Sequence, residues 1–464
     1  MSGDITQQSP TPSASADASD VDLGRRSVLK AAGGIVLASA LPAPWVHAAG
    51  NVIKIGYVSP QTGPLAVFGE PDPFTLAEMK KLLAAGIKVG GKQYSVEIVY
   101  KDSQSNPNRA AEVTSELILK DKVNLVMAGS TPATTNPVAD QCELNGMPCV
   151  TNDTPWQPHF FGRGGDPKKG FEWTYHFFWG LEDIIGVFTG LWAKLPGAKT
   201  VGALWPNDSD GNAWGDPKIG FPPVLAQKGF KLVDKGRYQS PSDDFSAYIA
   251  EFKKQGVDIV TGVMPPPDFA NFWNQAGQQG LKPKIVTCGK ATEFPAAIAA
   301  FGDRAEGLTV EVWWSPVHPF KSSLTGQSSG ELAAAYTKAT SKPWSMPLAF
   351  KHSLFEVALD SLKRAADLKP ESIRDAIRGT NLNTIVGPIN FKTGPVPNIS
   401  KTPLVGGQWK KKGKAMELVV VENGLASWSR SRTSSTPSSK TATAGGRGYP
   451  AADRPIRTTI IPTS

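Results

Sequence analysis

The sequence has few of the residues that most enzymes and metalloproteins use for chemistry. Its 464 residues include five histidines and three cysteines. No pair of histidines has a metal-ligand spacing such as H-x-x-x-H, and no C-x-x-C occurs. A phosphate-binding loop and a G-x-G-x-x-G that follows a strand are also missing, so nothing supports nucleotide chemistry. We therefore expect no metal and no cofactor.

Strong charge clusters and long apolar runs are lacking as well. The formal charge of +8 is unevenly placed, because the segment 427–464 has six basic residues and a single acidic one, Asp453. In the body of the chain the one tight basic cluster is Lys410–Lys412 with Lys414, which is typical of a solvated hairpin turn. We therefore expect no nucleic-acid binding. No apolar run after residue 48 approaches the roughly 20 residues of a membrane span, so we expect no span of its own.

The N-terminal region has the order of features of an export signal. Arg25 and Arg26 precede an apolar run from Ala31 to Leu41, and the small residues of Val46-His47-Ala48 follow. A basic turn before a short buried helix would be the alternative, but it would not need a cleavage site. The pattern predicts a twin-arginine signal peptide over 1–49, and thus a periplasmic mature protein. No cysteine at the junction offers a site for lipid attachment.

Short apolar strands alternate with helical segments along the body of the chain. Strand-like segments at 52–58, 94–100, 123–128 and 148–151 are separated by segments of helical spacing, and the same order restarts at 200–205. Proline at the first helical position, as in Asn106-Pro107, predicts helix starts at Pro107 and Pro137. This βαβα order predicts an α/β fold with two doubly wound parallel-sheet lobes. The segment 426–464, rich in Ser, Thr, Gly, Pro and Arg, is predicted to be a disordered tail.

Two loops at the ends of predicted strands are rich in polar groups. The loop 129–135 contains Ser130, Thr134 and Thr135 ahead of a helix, where hydroxyls and free N–H groups suit a carboxylate. Helix capping alone would explain one of these hydroxyl residues but not the whole set. The next loop, 151–156, ends in Trp156, which is equally consistent with a ligand contact and with core packing.

Several motifs together indicate a family. These are the loop 57–66, the hydroxyl-rich loop with Asn136-Pro137-Val138-Ala139-Asp140, the turn Gly146-Met147-Pro148, and Asp244-Phe245-Ser246-Ala247-Tyr248 ahead of 256–260. In this order and spacing the chain resembles the type I periplasmic binding proteins, and most closely the leucine/isoleucine/valine-binding family of ABC-importer components. The resemblance covers most of residues 51–425.

The resemblance implies a fold and a domain organisation. The expected fold has two doubly wound lobes joined by three hinge crossings. We expect lobe 1 to combine 50–172 with 309–385, and lobe 2 to combine 173–308 with 386–425. The strands 171–178 and 306–314 are the expected hinges.

The resemblance also implies the residues that contact a ligand. From lobe 1 we expect the loops after the third and fourth strands, and from lobe 2 the corresponding loops across the cleft. The expected ligand-binding residues are Ser130, Thr134, Thr135, Asn152, Asp153, Thr154, Trp156, Trp214, Pro266 and Lys290. Amino-acid binders usually place a carboxylate near the ligand's ammonium, whereas this chain has three prolines and a lysine there, with Asp268 and Glu293 as the nearby acids. A branched-chain amino acid and an aromatic or other organic acid therefore both remain open as ligands.

The function implied is that of a monomeric solute receptor, not an enzyme, which captures a small carboxylate-bearing ligand and delivers it to an ABC permease in the inner membrane. A ligand sensor of the same fold that acts on a signalling partner is an alternative. An exported serine hydrolase is an alternative from another class, because Gly326-Gln327-Ser328-Ser329-Gly330 fits G-x-S-x-G. That segment follows a polar stretch rather than a buried strand, so it lacks the elbow that exposes a nucleophile.

The cysteines allow two interpretations. Cys142 and Cys149 flank a predicted helix end and the following strand, and export to an oxidising compartment favours a disulfide between them. Two small buried thiols are the alternative. Cys288 would be left unpaired, without a neighbouring base that would indicate a nucleophile.

Overall fold

A computed structural model describes residues 51–424. The predicted signal peptide and the predicted tail fall outside these residues. The α-helices are α1 (Asp72–Leu82), α2 (Pro107–Leu119), α3 (Pro132–Leu144), α4 (Trp156–Phe160), α5 (Leu181–Trp192), α6 (Ser209–Trp214), α7 (Phe221–Gln227), α8 (Ser246–Gln255), α9 (Pro266–Gln278), α10 (Pro295–Ala300), α11 (Ser329–Thr340), α12 (Pro347–Arg364) and α13 (Pro370–Arg378).

The strands alternate with these helices along the chain, as the apolar pattern predicts. They are β1 (Val52–Ser59), β2 (Ile87–Val89), β3 (Lys92–Asp102), β4 (Leu125–Gly129), β5 (Cys149–Asn152), β6 (Thr174–Phe177), β7 (Thr200–Pro206), β8 (Lys231–Tyr238), β9 (Ile259–Met264), β10 (Ile285–Lys290), β11 (Thr309–Val312), β12 (Asn381–Thr384), β13 (Gly387–Asn390), β14 (Ile399–Ser400), β15 (Val405–Lys412) and β16 (Ala415–Glu422).

Two sheets of seven strands form the framework. The first has the order β14-β6-β5-β4-β1-β3-β2, and the second has the order β16-β15-β11-β10-β9-β7-β8. Adjacent strands run parallel except at β2–β3 in the first sheet and along β11, β15 and β16 in the second. Central strands such as β4 and β9 are buried along their whole length, as expected for a parallel sheet covered by helices on both faces. The predicted fold class is confirmed.

The chain passes between the two sheets three times. It leaves the first sheet after β6 and enters α5, which packs on β11, β15 and β16 of the second sheet. It returns after β11 to α11 and α12, which pack together and against α1. It crosses again between β14 and β15. These are the three hinge crossings that the fold requires, and each directly follows a strand.

Strand pairing alters the expected domain boundaries. The expected boundaries assign 173–308 to lobe 2 and 309–385 to lobe 1, but β6 pairs with β5 in the first sheet and β11 pairs with β10 in the second. The short strand β14, expected in lobe 2, pairs with β6. A hinge strand stays hydrogen-bonded in the sheet that it leaves. We therefore propose lobe boundaries that come after each of these strands, near 178, 313 and 401.

Helix α3 begins earlier than the sequence predicts. It starts at Pro132, with Thr131 as the N-cap, and Pro137 lies inside it rather than at its first turn. Thr134 and Thr135 therefore belong to the first turn of a helix and not to a loop. The predicted cap of α2 is confirmed, since Asn106 Oδ1 accepts a hydrogen bond from the Arg109 N–H at 3.0 Å.

No helix within residues 51–424 combines the length and the hydropathy that a membrane span needs.

Two buried histidines, one in α4 and one in β6, pack together at the first sheet. The rings of His159 and His176 stack with their centroids 4.0 Å apart. His176 Nε2 donates to the Thr154 carbonyl at 2.7 Å, so its Nδ1 accepts from the Thr151 hydroxyl at 2.8 Å. Burial lowers the pKa of His176 to about 3. Burial and the neighbouring His176 and Arg163 lower the pKa of His159 well below its usual value.

We expect this histidine pair to make folding sensitive to acid. The unfolded chain binds a proton at His176 below about pH 6.5, whereas folded His176 stays neutral until about pH 3. The free energy of unfolding should therefore fall as the pH drops below about 6.5. Replacement His176→Gln, which keeps an N–H donor, should remove about 3 kcal/mol of the loss between pH 7 and pH 4 in urea titrations. Identical pH profiles for wild type and variant would contradict this role.

Candidate ligand-binding cleft

The first wall of the cleft is built on the loop between β4 and α3. The Ser130 N–H donates to Thr135 Oγ1 at 3.1 Å, so Thr135 shapes the loop. Ser130 Oγ and Thr134 Oγ1 are buried and have no hydrogen-bonding partner within residues 51–424. Both lie at the N-terminus of a helix of 13 residues, whose first N–H groups and dipole favour negative charge. This wall is suited to a carboxylate.

The neighbouring loop after β5 is fixed by helix α12. Asn152 Nδ2 donates to the Phe350 carbonyl at 2.8 Å, and Lys351 Nζ lies 2.7 Å from Asp153 Oδ2. Lys351 also donates to the Gly129 carbonyl, so one ammonium joins both loops. Asp153 adopts a left-handed backbone conformation with φ of 62°, which an aspartate tolerates only where neighbours hold it. Burial raises the pKa of Asp153 to about 6, against the opposing effect of Lys351.

The opposite wall contains an ion-paired lysine. Lys290 Nζ lies 2.6 Å from Asp210 Oδ2 and 3.4 Å from Asp208 Oδ2. Asp208 also caps α6, because its carboxylate accepts from the Gly211 N–H at 2.8 Å. The Lys290 side chain is 9% exposed, so it cannot turn to solvent without breaking these pairs. Its charge is neutralised by the protein itself.

Two glutamates lie beside this lysine. The Lys290 N–H donates to Glu293 Oε1 at 3.0 Å, and Glu311 extends from β11. Both residues are buried, at 5% and 1% exposure. Burial raises the pKa of Glu293 to about 7, and burial together with the adjacent Glu293 raises the pKa of Glu311 well above its usual value. The two carboxyl groups therefore tend to hold a proton between them.

Aromatic rings fill the space between the walls. Trp179 and Trp313 directly follow the hinge strands β6 and β11, and the Phe178 ring lies 4.7 and 5.2 Å from them, between centroids. The indole N–H groups of Trp179, Trp214 and Trp313 are buried without a partner among the described residues. A buried indole N–H normally has an acceptor, so these three groups are available to a ligand.

The cleft is narrow. Its volume is about 30 Å³, whereas sites for small-molecule ligands usually have about 300 Å³ or more. A solute of several heavy atoms can enter only if the lobes separate. The cleft is lined by Phe68, Thr131, Asp153, Pro155, Phe178, Trp179, Asp210, Trp214, Val263, Lys290, Glu293, Glu311 and Trp313.

The ten residues expected from the sequence fall into three groups. Asp153, Trp214 and Lys290 line the cleft itself. Ser130, Thr134, Thr135, Asn152 and Thr154 are buried in the two loops that form the first wall, but they do not line the cleft. Trp156 and Pro266 do not line the cleft.

Trp156 and Pro266 have local structural roles. Trp156 Nε1 donates to Glu182 Oε1 at 3.2 Å, and its ring packs in a small cluster with Phe160 and Ile399. Pro266 is the first residue of α9, where proline has no N–H to lose. Neither residue lines the cleft in this structure, and a contact of either with a solute stays a prediction.

Sequence reasoning missed the aromatic and acidic residues near the hinges. Glu311 and Trp313 belong to the segment 306–314, which was identified only as a hinge strand, and Trp179 comes directly after the other predicted hinge, 171–178. Asp210 follows a strand end whose loop was represented by Trp214 alone. The rule that ligands lie beyond the carboxyl ends of parallel strands applies equally to hinge strands. Applying it to β6 and β11 would have found both tryptophans.

The expected disulfide is not formed in the structure. Cys142 and Cys149 are free thiols, both fully buried in an apolar cluster with Val126 and Val138. They behave as small apolar side chains, which was the alternative interpretation. Cys288 is also a free buried thiol, and burial raises its pKa, which argues against a nucleophile.

Ser328 has a structural role. It is the N-cap of α11: its Oγ accepts from the Glu331 N–H at 3.3 Å, and its own N–H donates to Glu331 Oε2 at 2.7 Å. This is a capping box, and the Ser328 hydroxyl also donates to Glu331 Oε2 at 2.8 Å. The local geometry is that of a helix start, not of a nucleophile elbow.

A second, larger groove lies outside the cleft. It has a volume of about 930 Å³ and runs along the β15–β16 hairpin and α10, with Trp344 at one side. Its lining is mostly apolar and includes Met416 and Leu418, and Glu293 is the residue that it shares with the cleft. We assign the solute site to the cleft, because its lining combines the unpartnered indole N–H groups of Trp179, Trp214 and Trp313 with the buried carboxyl groups of Asp153, Asp210, Glu293 and Glu311.

The sequence and fold match known proteins over most of the chain. A family profile described as periplasmic binding protein matches residues 52–414. A leucine-, isoleucine-, valine-, threonine-, and alanine-binding protein of Pseudomonas aeruginosa is 24% identical over 374 residues, which cover 80% of this chain and 93% of that protein.

Solved structures show the same fold. A leucine-binding protein from Thermotoga maritima superposes with a TM-score of 0.64 at 22% identity, covering 80% of this chain and 99% of that one. An ABC-transporter solute-binding protein from R. palustris, in complex with 4-hydroxybenzoate, gives 0.65 at 19% identity, covering 80% and 96%. With two hinged α/β lobes, a cleft between them and a profile match over most of its length, the chain belongs to the type I periplasmic binding proteins, in the leucine/isoleucine/valine-binding family.

Proposed function

We propose that the protein is the periplasmic solute-binding component of an ABC importer. It captures a small carboxylate-bearing solute by closing its two lobes and delivers it to a permease in the inner membrane. A twin-arginine signal over 1–49 directs its export, and it acts as a monomer. The observation that carries this proposal is the set of buried, unpartnered polar atoms on both walls of a hinged cleft.

These unpartnered atoms supply a reason for ligand-driven closure. A buried polar group without a partner costs about 1–3 kcal/mol, and several are buried here when the lobes close. In an open cleft, water satisfies the same groups. A solute that hydrogen-bonds to both walls removes this penalty only in the closed state, and therefore shifts the population towards it.

The first wall supports a carboxylate as the common feature of the solute. Ser130 Oγ, Thr134 Oγ1 and the N-terminus of α3 offer hydroxyls and a positive dipole end. The Pseudomonas aeruginosa relative is named for amino acids and the R. palustris structure holds 4-hydroxybenzoate, and all these compounds carry a carboxylate. The shared chemistry lies at this wall, while the rest of the solute is recognised elsewhere.

We expect a carboxylate-bearing solute to stabilise the protein strongly. Thermal-shift screening of the purified chain should cover amino acids, aromatic acids, dicarboxylates and amides. A solute at 100 times its Kd should add about 2.7 kcal/mol to the free energy of unfolding. Calorimetry should then give one site per chain, and small-angle scattering a decrease in the radius of gyration. Absence of any shift with all four classes would contradict the proposed function.

We expect Thr134→Ala and Ser130→Ala to weaken carboxylate binding. Each removes a buried hydroxyl that the proposal assigns to the carboxylate of the solute, so each should cost about 1.5–3 kcal/mol, or about tenfold or more in Kd by calorimetry. Thr114→Ala is the matched control, because Thr114 is a fully buried helical threonine whose hydroxyl donates to the Ala110 carbonyl, far along α2. Equal effects of all three substitutions on Kd would show that the hydroxyls act through stability alone.

We expect Ser328→Ala to lower stability without abolishing any reaction. Loss of the N-cap should cost about 0.5–2 kcal/mol in the free energy of unfolding. Solute affinity should be unchanged, and p-nitrophenyl ester hydrolysis should be no different from that of wild type. Ester turnover that disappears in this variant would instead support the hydrolase alternative.

A further inference from the structure

The cleft has more negative than positive groups. Asp153, Asp210, Glu293 and Glu311 line it, against the single ammonium of Lys290. All four carboxyl side chains are at most 5% exposed. Such an excess of acids in a buried space is unfavourable without a compensating cation.

The nearby lysines do not neutralise this excess of acidic groups. Lys351 is paired with Asp153 and with the Gly129 carbonyl. Lys290 is paired with Asp210 and, at a longer distance, with Asp208. After these pairings, Glu293 and Glu311 are the acids that face the cleft without an ion-paired side chain within residues 51–424.

The carboxyl oxygens of the two glutamates point to a missing partner. Oε2 of Glu293 and Oε2 of Glu311 are buried and accept no hydrogen bond from another residue of the described part of the chain, because the two carboxyl groups hydrogen-bond only to each other through a shared proton. Oδ1 of Asp210 is buried without a partner among the same residues. Glu311 and Trp214 are both neighbours of Gly289, since Glu311 Oε1 and Trp214 Cη2 lie 2.7 and 2.8 Å from the position that a Cβ on Gly289 would take, and both residues line the cleft. Aromatic rings that line such a space add to the attraction for an organic cation.

We propose that the solute carries a cationic group held by Glu293 and Glu311, so that the protein binds a basic amino acid rather than an aliphatic or purely aromatic acid. This inference rests on the proposed function: the carboxylate of the solute lies at the first wall, and its cation lies at the second. A solute with one more positive than negative charge balances the cleft better than a neutral amino acid does. The aromatic rings of Trp179 and Trp313 pack against its methylene chain.

The first experiment compares two solutes that differ in one charge. L-Lysine and L-norleucine share a carboxylate, an α-ammonium and a four-carbon chain, and only lysine has the terminal ammonium. Calorimetry with the full chain at pH 7.5 should give a Kd for lysine at least about tenfold below that for norleucine, since charge-assisted hydrogen bonds contribute this much. L-Ornithine and L-arginine extend the series in length and in shape.

Charge-neutral substitutions identify the residues responsible. Glu293→Gln and Glu311→Gln keep the side-chain shape and should each weaken lysine about tenfold or more, while norleucine changes little. Glu356→Gln is the matched control. Glu356 is equally buried and also has a pKa raised to about 7 by burial, but its carboxylate accepts from the Ser323 and Ile385 N–H groups, and it does not line the cleft.

Proton release gives a readout that simple loss of structure would not produce. A cation that binds between the glutamates displaces the proton that they hold, so calorimetry in buffers of different ionisation enthalpy should show release near pH 7 and a lower Kd at pH 8 than at pH 6. Glu311→Gln should abolish this release. The other charged groups that face the pair are Asp153, Asp208, Asp210, Lys290 and Lys351.

The possible outcomes separate this inference from the proposed function. Tighter binding of leucine, norleucine or 4-hydroxybenzoate than of all three basic amino acids would overturn the cation assignment and leave the solute receptor intact. Equal losses of lysine and norleucine affinity in the glutamine variants would overturn it as well. Failure of every solute to bind would overturn both. Selective loss of lysine binding with loss of proton release supports the inference.

Discussion

The buried ion pair between Lys351 and Asp153 is the contact on which the cleft depends. Both side chains are fully buried, and Lys351 also holds the Gly129 carbonyl. Helix α12 is thereby joined to the loops of β4 and β5, about 200 residues earlier in the chain. Loss of one partner of such a pair costs about 3–5 kcal/mol, because the other charge stays buried. Without it, the left-handed turn at Asp153 and the first wall would lose their support.

The alternation of strands and helices could be predicted from the sequence, because apolar runs and helix caps are local signals. The start of α3 could not be predicted from such local signals. Thr131-Pro132 and Asn136-Pro137 are both plausible helix starts, and packing of the segment 132–144 against α2, β4 and β5 favours the first. As a result, Pro137 is tolerated inside the helix. The lobe boundaries that we propose differ from the expected ones for a similar reason, since pairing between distant strands determines which sheet a hinge strand joins.

The polar loops of the first wall were also predictable, because they follow strand ends in one continuous segment. The electrostatics of the second wall were not. Lys290 suggests a cation for carboxylate capture when only the sequence is known. In the structure it is neutralised by Asp208 and Asp210 from a loop some 80 residues earlier, and Glu311 arrives from a hinge strand. The sign of the charge in the cleft therefore emerges only from tertiary pairing.

The aromatic rings at the crossings couple recognition to motion. Phe178, Trp313 and Phe350 pack edge to face with centroids 5.1–5.2 Å apart, and Phe178 and Trp313 directly follow the hinge strands β6 and β11. A solute that rests on Trp179 or Trp313 therefore contacts residues next to the hinges and not residues at the far ends of the lobes. Small differences in the shape of the solute would then change the angle between the lobes in the closed state. An importer could distinguish solutes by this angle as well as by their affinity.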